Sequence, residues 1–358
     1  MTKVQTNMKT KCLFSLALAL LLSTAVFAQT PPPSMGPQAG AAPLTEKEVI
    51  TELKKQGADQ LTKDLGARGV DFEMDADVEK RLRKAKATDE LIKAVTAAGP
   101  KERAQAAKAQ AQATGAVIIP PDENADFKAL QTELDPDKAI ALAQAFVQKH
   151  PNSPVLSYAY AFEANAYEMK GDVAKVVQCA QQSVAAKKDN LMSLMMLAYA
   201  MPTPQYVNEH QADEDKVLTE AENDANQAVA AIHALKKQPT ETDEAFAKRQ
   251  NSYLAEVHAD MGMIHLDRAQ LGLMGLDKTE LAKAEQEYQA AVTGVDHPDP
   301  SAYYRLGETL RLQAKYDDAI AAFTKASELG QGAVKQYADQ QIAKVKELKA
   351  QSGTSAKP

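Results

Sequence analysis

The segment from Tyr303 to Gly330 constrains the fold more than any other part of this sequence. Along it, apolar and small residues recur at spacings of three and four, which places them on one face of each of two helices. They are Tyr303, Leu306, Gly307 and Leu310 in the first half, and Ala319, Phe323 and Ala326 in the second. The small residues Gly307 and Ala319 allow the two helices to approach closely. The segment therefore predicts a tightly packed helical hairpin.

Large, small and large residues at these offsets closely resemble a tetratricopeptide repeat (TPR), a helical hairpin with a period of about 34 residues. Tyr303 stands where that family has Trp, Leu310 where it has Tyr, and Gln331 where it has Pro. The resemblance implies an all-α protein in which helical hairpins stack as a TPR-like solenoid. Such proteins hold a peptide or protein in the concave groove lined by the first helix of each hairpin.

Weaker copies of the pattern precede this repeat, so the resemblance covers about Ala125 to Ala350. Two long insertions, Pro202 to Lys216 and Leu271 to Lys283, interrupt the later copies. We expect a final amphipathic helix, Val334 to Ala350, to cap the solenoid, because its last repeat would otherwise expose an apolar face. Small residues mark the predicted helix contacts of the earlier copies: Ala139, Ala143, Ala164, Gly171, Ala180, Ala198, Ala221, Ala225, Ala228, Gly262, Ala284 and Ala291.

Residues 1–28 have the three parts of a secretory signal peptide. Three lysines precede the apolar run LFSLALALLLS, and Val26 and Ala28 suit cleavage before Gln29. The apolar run is shorter than the roughly 20 residues that a membrane-spanning helix needs. We therefore expect an exported protein, periplasmic or secreted, with no stable membrane span once the signal peptide is removed.

Composition divides the rest of the chain into further segments. The small helical domain begins at a capping box, Thr45 with Glu48. Its two halves repeat one apolar spacing, which predicts two helical hairpins joined by a loop whose Val70 and Phe72 plug the shared core. The predicted segments are a flexible Pro/Gly linker over 29–44, the small helical domain over 45–98, an Ala/Gln/Lys spacer over 99–124, the TPR-like repeat domain with its capping helix over 125–350, and a disordered tail over 351–358.

Charge and cysteine content narrow the possible partners. Removing residues 1–28 takes away three of 41 basic residues and none of 48 acidic ones, which leaves a formal charge of −10. Nucleic acid is therefore not an expected partner, and we interpret the basic run from Lys80 to Lys86 as a solvated helix face.

The exported chain would keep one cysteine, Cys179, too few for an intramolecular disulfide. Its alanine-rich surroundings predict a buried, inert thiol.

Motifs of catalysis and cofactor binding are missing from the sequence. It has no metalloprotease-type histidine pair, no phosphate-binding glycine loop and no serine-hydrolase elbow. We expect no enzymatic activity, no cofactor and no metal. His258 and His265 share a helical face, but the repeat register places them at packing positions. Methionines that cluster around one predicted helix are interpreted as adaptable core packing: Met192, Met195, Met196 and Met201.

The resemblance also assigns residues to the concave groove, position by position along the first helices. Family members that grip a C-terminal carboxylate use Lys, Asn and Arg there. Only Asn165 and Arg305 match that set, and Ala161 stands where Lys would be needed, so carboxylate capture is not expected. The candidate partner-binding residues are Asn165, Glu168, Met195, Tyr199, Met263, Tyr304, Glu308 and Arg311.

These features favour an exported, non-enzymatic interaction scaffold that binds a peptide or protein partner in the cell envelope. The leading alternative is an envelope ligand-binding protein whose two insertions close over a glycan or small molecule. A deep apolar pocket under the insertions would favour that alternative, and an open groove would favour the scaffold. An enzyme is the third class, and the sequence supplies no catalytic constellation for it.

Overall fold

The computed structural model describes residues 27–29, 42–114, 117–238, 240–271 and 275–354. The predicted signal peptide up to Val26, most of the predicted linker and the end of the predicted tail therefore lie outside the described residues. Helices make up most of what is described, which confirms the all-α prediction. A short parallel pairing departs from it: β1 (Phe27–Gln29) lies beside β2 (Val117–Ile119). None of the described helices is both long and apolar enough to cross a membrane.

The described chain forms two compact units. The smaller unit contains the described residues up to Lys128 together with Asn152–Val155, and the larger unit contains Ala129–Pro151 and the described residues from Leu156 onward. Helix α6 (Pro121–Thr132) spans the sequence boundary between them. The helices that precede α6 are α1 (Glu46–Gln56), α2 (Ala58–Arg68), α3 (Ala76–Lys84), α4 (Asp89–Ala97) and α5 (Pro100–Thr114).

The smaller unit folds around the apolar residues that repeat in its sequence. The predicted capping box is present: the Thr45 hydroxyl accepts a hydrogen bond from the Glu48 N–H at 3.3 Å, and the Glu48 carboxylate accepts one from the Thr45 N–H at 2.7 Å. Val70 is fully buried, and Phe72 packs against the same core. Both residues therefore plug the space between the helices, as their position in the loop predicted.

The larger unit is a series of helices, each of which packs against the next apart from the short α11. First helices α8, α10, α13 and α15 alternate with second helices α9, α12, α14 and α16. This alternation is the predicted stack of helical hairpins. The helices are α7 (Pro136–Lys149), α8 (Leu156–Lys170), α9 (Val173–Ala186), α10 (Leu191–Ala200), α11 (Pro204–Glu209), α12 (Glu214–His233), α13 (Asp243–Gln270), α14 (Lys278–Val292), α15 (Pro300–Leu312), α16 (Tyr316–Leu329) and α17 (Gly332–Thr354).

A glycine beneath an aromatic ring sets the close approach of the helices in the last two hairpins. A Cβ atom added to Gly307 would lie 2.8 Å from the Phe323 ring, and one added to Gly262 would lie 2.8 Å from the Tyr288 ring. Both distances are well inside the optimal carbon–carbon separation of about 3.5–4.0 Å. Ala319 is also fully buried. The small positions Gly262, Gly307 and Ala319 are therefore helix contacts, and a side chain at either glycine would push the helices apart. Gly171, by contrast, lies exposed in the turn after α8.

Helical structure occupies part of each insertion. The first contains α11 and a 3-10 turn at Gln211–Asp213. The second ends earlier than predicted, because α14 already begins at Lys278. The Asp277 carboxylate fixes that start by accepting hydrogen bonds from the Thr279 and Glu280 N–H groups at 2.7 and 3.2 Å.

Helix α17 covers the last hairpin. Its Ala338 and Val345 are fully buried, and Tyr337 and Ile342 pack against the core that contains Phe323. Helix α17 therefore occupies the position of the predicted capping helix. The helix continues to Thr354, past the predicted end at Ala350.

Candidate functional site

The residues assigned to the concave groove lie on α8, α10, α13 and α15, and their exposure differs. Met195 is fully buried, and Tyr304 is 8% exposed with its ring edge-on to Phe323 at a centroid distance of 5.4 Å. These two side chains therefore lie beneath the groove surface and support it by packing. Binding of a partner by any member of the set stays a prediction. The partly buried members are Asn165, Glu168, Tyr199, Met263, Glu308 and Arg311.

The burial of Met195 follows from the surroundings of α10. This helix is apolar along almost its whole length and packs against α8, α9, α12 and α13. Neighbouring helices therefore surround α10 on most sides. They cover Met195, although the repeat register places this residue toward the groove. The methionine cluster is core packing, as expected: Met192, Met195, Met196 and Met201 are each at most 5% exposed.

Helix α8 presents recessed polar atoms three residues apart. Asn165 Oδ1 and Glu168 Oε2 are shielded from solvent and have no hydrogen-bond partner among the described residues. Burial raises the pKa of Glu168 to about 7, because desolvation disfavours the ionised carboxylate. A buried polar atom without a partner costs about 1–3 kcal/mol. Hydrogen-bond donors from a bound chain would therefore be stabilising at this position.

Helix α15 presents an ion pair and an unpaired donor. Glu308 accepts a hydrogen bond from Arg305 Nη1 at 3.0 Å. Arg311, one turn after Glu308, has a buried Nε atom that donates to no described residue. Two of the residues assigned to the groove thus supply charge on α15, while the third, Tyr304, supplies packing.

Helix α13 carries an acidic face that sequence analysis missed. Glu256, Asp260, Met263 and Asp267 follow one another at spacings of four, three and four residues. They therefore share one side of the helix. Met263 alone was predicted. The signal was present in the sequence, because the repeat register counted from Gly262 places the three carboxyl groups beside Met263.

The carboxyl groups of this acidic face are desolvated. Burial raises the pKa of Glu256 and that of Asp267 to about 7 each. Asp260 is 8% exposed, and burial raises its pKa well above the usual range, with further contributions from the charges of Glu256 and Asp299. Asp299 caps α15 by accepting a hydrogen bond from the Ser301 N–H at 2.9 Å. The face thus gathers three carboxyl groups whose ionised form is disfavoured by burial.

Stacked hairpins, close glycine contacts and a capping helix together define the fold. The fold is TPR-like. Among solved structures, the chain is similar to a thermophilic TPR protein of Thermus thermophilus, with 19% sequence identity and a TM-score of 0.36. That similarity covers 59% of this chain and 90% of the other. No family model matches this sequence, and neither does any curated protein.

Two histidines of the TPR-like repeats, His258 and His265, join the two helices of one hairpin. His258 Nδ1 lies 2.6 Å from Glu287 Oε2, and His265 Nδ1 lies 2.7 Å from Glu280 Oε2. Both contacts run from α13 to α14, in agreement with the predicted packing positions. Within the described ranges, no group of three or more His, Cys, Asp or Glu side chains is arranged to hold a metal ion. Cys179 is 4% exposed, and burial raises its thiol pKa to about 12.

A depression of about 280 Å³ lies beside the two insertions of the TPR-like repeats. Its walls are Asp215 from the first insertion, Leu271 and Asp277 from the second, Arg268 from α13 and Glu280 from the first turn of α14. Arg268 also forms an ion pair with Glu222. Four of the five lining residues are charged, so the depression differs from the mostly apolar pocket typical of small-molecule sites.

Proposed function

We propose that this chain is an exported, non-enzymatic scaffold that holds a peptide or protein partner of the cell envelope in the concave groove of its TPR-like repeats. The observation that carries the proposal is a set of recessed polar atoms on the first helices. Asn165 Oδ1, Glu168 Oε2 and Arg311 Nε are buried, and each is unpartnered within the described part of the chain. All three residues had been assigned to the groove from the repeat register. Native proteins leave few such atoms.

A peptide main chain suits this combination of atoms. Asn165 Oδ1 and Glu168 Oε2 accept hydrogen bonds, Arg311 Nε donates one, and every non-proline residue of a peptide offers both an N–H and a C=O. Met263 adds an adaptable apolar contact on the same type of helix. The proposal therefore assigns the groove to recognition, with no catalytic step.

Affinity capture from an envelope extract, with the purified chain as bait, tests the proposal. The groove variant is Glu308→Ala/Arg311→Ala, and the control is Asp318→Ala/Lys346→Ala, which removes the same two charges from exposed positions on α16 and α17. We expect the parent and the control to bind the same partner, and the groove variant to bind it at least about tenfold more weakly. Equal binding by the two variants would contradict the groove assignment.

Export forms part of the proposal and rests on residues 1–28. Their order of lysines, apolar run and small residues supports cleavage after Ala28. N-terminal sequencing of the protein from its native source should begin at Gln29. Recovery of Met1 or Met8 at the N-terminus in a membrane fraction would exclude this part of the proposal.

A glycan or small molecule bound beside the insertions is the second candidate. The observation that favours it is that both insertions contribute walls to the depression around Arg268. A ligand of this kind should raise the melting temperature of the parent and leave that of Arg268→Gln unchanged. Among the described residues, Leu271 is the only apolar residue that lines this depression, and its other walls are charged. The depression therefore suits such a ligand less well than the groove suits a peptide.

A further inference from the structure

Three carboxyl groups act on one another where α13 faces the start of α15. Glu256 and Asp260 lie one turn apart on α13, and Asp299 caps α15. The charge of Asp299 acts on both of the others, and that of Glu256 acts on Asp260. Asp260 is the most recessed, while Glu256 and Asp299 keep some exposure. We call this group of three carboxyl groups the acidic recess, and Asp260 is its most buried member.

This acidic recess lacks a compensating cation among the described residues. Glu256 Oε2 and Asp260 Oδ2 are shielded from solvent, and no described residue donates a hydrogen bond to either atom. The neighbouring charges that act on Glu256 and Asp260 come from carboxyl groups. Elsewhere in the larger unit, Glu241 is paired with Arg249 at 2.8 Å. Carboxylates removed from water without such a partner are unstable in the ionised form.

A buried hydroxyl on a different helix lies within the influence of Asp260. Tyr288 of α14 is 1% exposed, and its Oη atom is unpartnered in the described ranges. Burial raises the pKa of this hydroxyl; the positive charge of Arg305 acts on it next, and the charges of Asp267, Glu308 and Asp260 follow. The ring of Tyr288 fills the space over Gly262, so the hydroxyl is held in place by packing. A bound donor at this position would satisfy an acceptor that the fold leaves without a partner.

We infer that a lysine or arginine side chain of the bound peptide occupies the acidic recess, with its cationic head between Glu256, Asp260 and Asp299. The inference rests on the proposed peptide groove and adds the chemistry of the occupant. A lysine ammonium has three donors and an arginine guanidinium has five, which is enough for the unpartnered oxygens. The acidic chain, with a formal charge of −7, would also attract a basic partner over a longer range.

Calorimetric titration of the full chain with a short acetylated peptide of alternating lysine and alanine tests the inference. Peptides with glutamine or glutamate in place of lysine are the probe controls. The recess variant is Glu256→Gln/Asp260→Asn, which keeps the size of both side chains. The control variant, Asp318→Asn/Glu347→Gln, removes the same charge from exposed positions on α16 and α17.

We expect the lysine peptide to bind the parent and the control variant alike, and the recess variant at least about tenfold more weakly. The glutamine and glutamate peptides should not bind. Binding should strengthen as the pH rises from about 6 to 8 and should release protons, because a cation favours the ionised carboxylates. The recess variant should lose the part of this pH dependence that Glu256 and Asp260 supply, while Asp299, whose pKa is also raised by burial, keeps its own part. Its melting temperature should equal or exceed that of the parent, which separates lost recognition from lost folding.

Several results would overturn the inference: no binding of the lysine peptide, equal weakening by the recess and control variants, or displacement of the peptide by calcium ions alone, which would indicate a metal site. The partner from affinity capture distinguishes the two levels of the proposal. If Glu308→Ala/Arg311→Ala releases that partner while the recess variant retains it, the groove assignment is supported and a basic side chain in the recess is excluded. If neither variant affects capture, the result contradicts the proposed function itself.

Discussion

The last two hairpins, α13 with α14 and α15 with α16, share one packing device and differ in the chemistry of their first helices. In each, an aromatic ring sits over a glycine, at 2.8 Å from the position of an added Cβ. On α15 the carboxylate of Glu308 is paired with Arg305, whereas on α13 the recessed Asp260 has no cation within the described chain. The contact inside a hairpin and the charge on its groove side are therefore set by separate residues.

This separation has a geometric cause. Successive side chains of an α-helix point in directions about 100° apart. One residue can therefore face the partner helix while the next residue faces the groove. Gly262 and Met263 are neighbours in sequence, yet the first contacts Tyr288 and the second shares the acidic face. Substitutions at the two kinds of position should therefore have different consequences, and four predictions test this.

The largest effect is expected at the glycine contacts. Gly262→Leu and Gly307→Leu should each lower the free energy of unfolding by about 3 kcal/mol, because neither ring can move away without displacing its helix. Gly66→Ala in α2 is the control, since an added Cβ there meets nothing within 4 Å, and it should stabilise the smaller unit by up to about 1 kcal/mol. Urea unfolding measures all three. Parent-like stability of Gly307→Leu would show that the helices are not held by this contact.

The pH dependence of stability should distinguish the two first helices. Burial raises the pKa of Glu256 from 4.5 to about 7, so the folded state binds a proton that the unfolded state has released. The contribution of this proton to the free energy of unfolding is fully present below about pH 4 and is lost as the pH rises through 7. For Glu256 this contribution is at most about 3 kcal/mol. Asp299 of α15 faces the Glu256–Asp260 pair, and its negative charge raises the pKa of both carboxyl groups further. The hydroxyl of Tyr288 of α14 lies within the influence of Asp260.

Glu256→Gln/Asp260→Asn should therefore reduce the loss of stability between about pH 5 and 8, while Glu308→Gln should not. Part of the loss should persist in the double variant, because burial also raises the pKa of Glu168 and of Asp267 to about 7. Thermal melts across this range measure the effect. A slope that is unchanged in the double variant would mean that the two α13 carboxyl groups titrate normally.

An exchange of the two aromatic residues tests the unpartnered hydroxyl. Tyr288→Phe should stabilise the protein by about 1 kcal/mol, because it removes a buried Oη atom that has no partner in the described chain. Phe323→Tyr should destabilise it by a similar amount, about 1 kcal/mol, because it places such an atom in the fully buried core of the last hairpin. Changes of the same sign in both variants would contradict this account.

The smallest effect is expected for the exposed ion pair on α15. Arg305 and Glu308 side chains are 46% and 21% exposed, so solvent screens their attraction. Glu308→Gln should change the free energy of unfolding by less than about 0.5 kcal/mol. A double-mutant cycle with Arg305→Gln measures the pair itself. A coupling well above that limit would mean that the face of α15 is as desolvated as that of α13.

Much of the architecture could be predicted because helical packing leaves a short-range signal. Gly307, Ala319 and Phe323 lie within one hairpin, and their spacing alone predicts which surfaces meet. The capping box at Thr45 is equally local. The groove register also placed Asn165 and Arg311 on first helices, where both proved to carry an unpartnered buried atom within the described chain.

Exposure, unlike helical structure, does not follow from the repeat register. Met195 and Tyr304 have the register of groove residues, but neighbouring helices cover them. The insertions also become helix where a local cap such as Asp277 allows it. These outcomes depend on residues far away in sequence, so periodicity within one helix does not contain them.

The sequence by itself determined the class of fold, the order of the helices and the small residues on which they close, because each depends on residues within about one or two helical turns. The tertiary structure decided which carboxyl groups lose their water and which polar atoms are left without a partner. Glu256, Asp260 and Tyr288 are ordinary residues until α14 and α15 pack against α13. Desolvation is a property of the assembled neighbours, and it is what turns this face of α13 into an acidic recess.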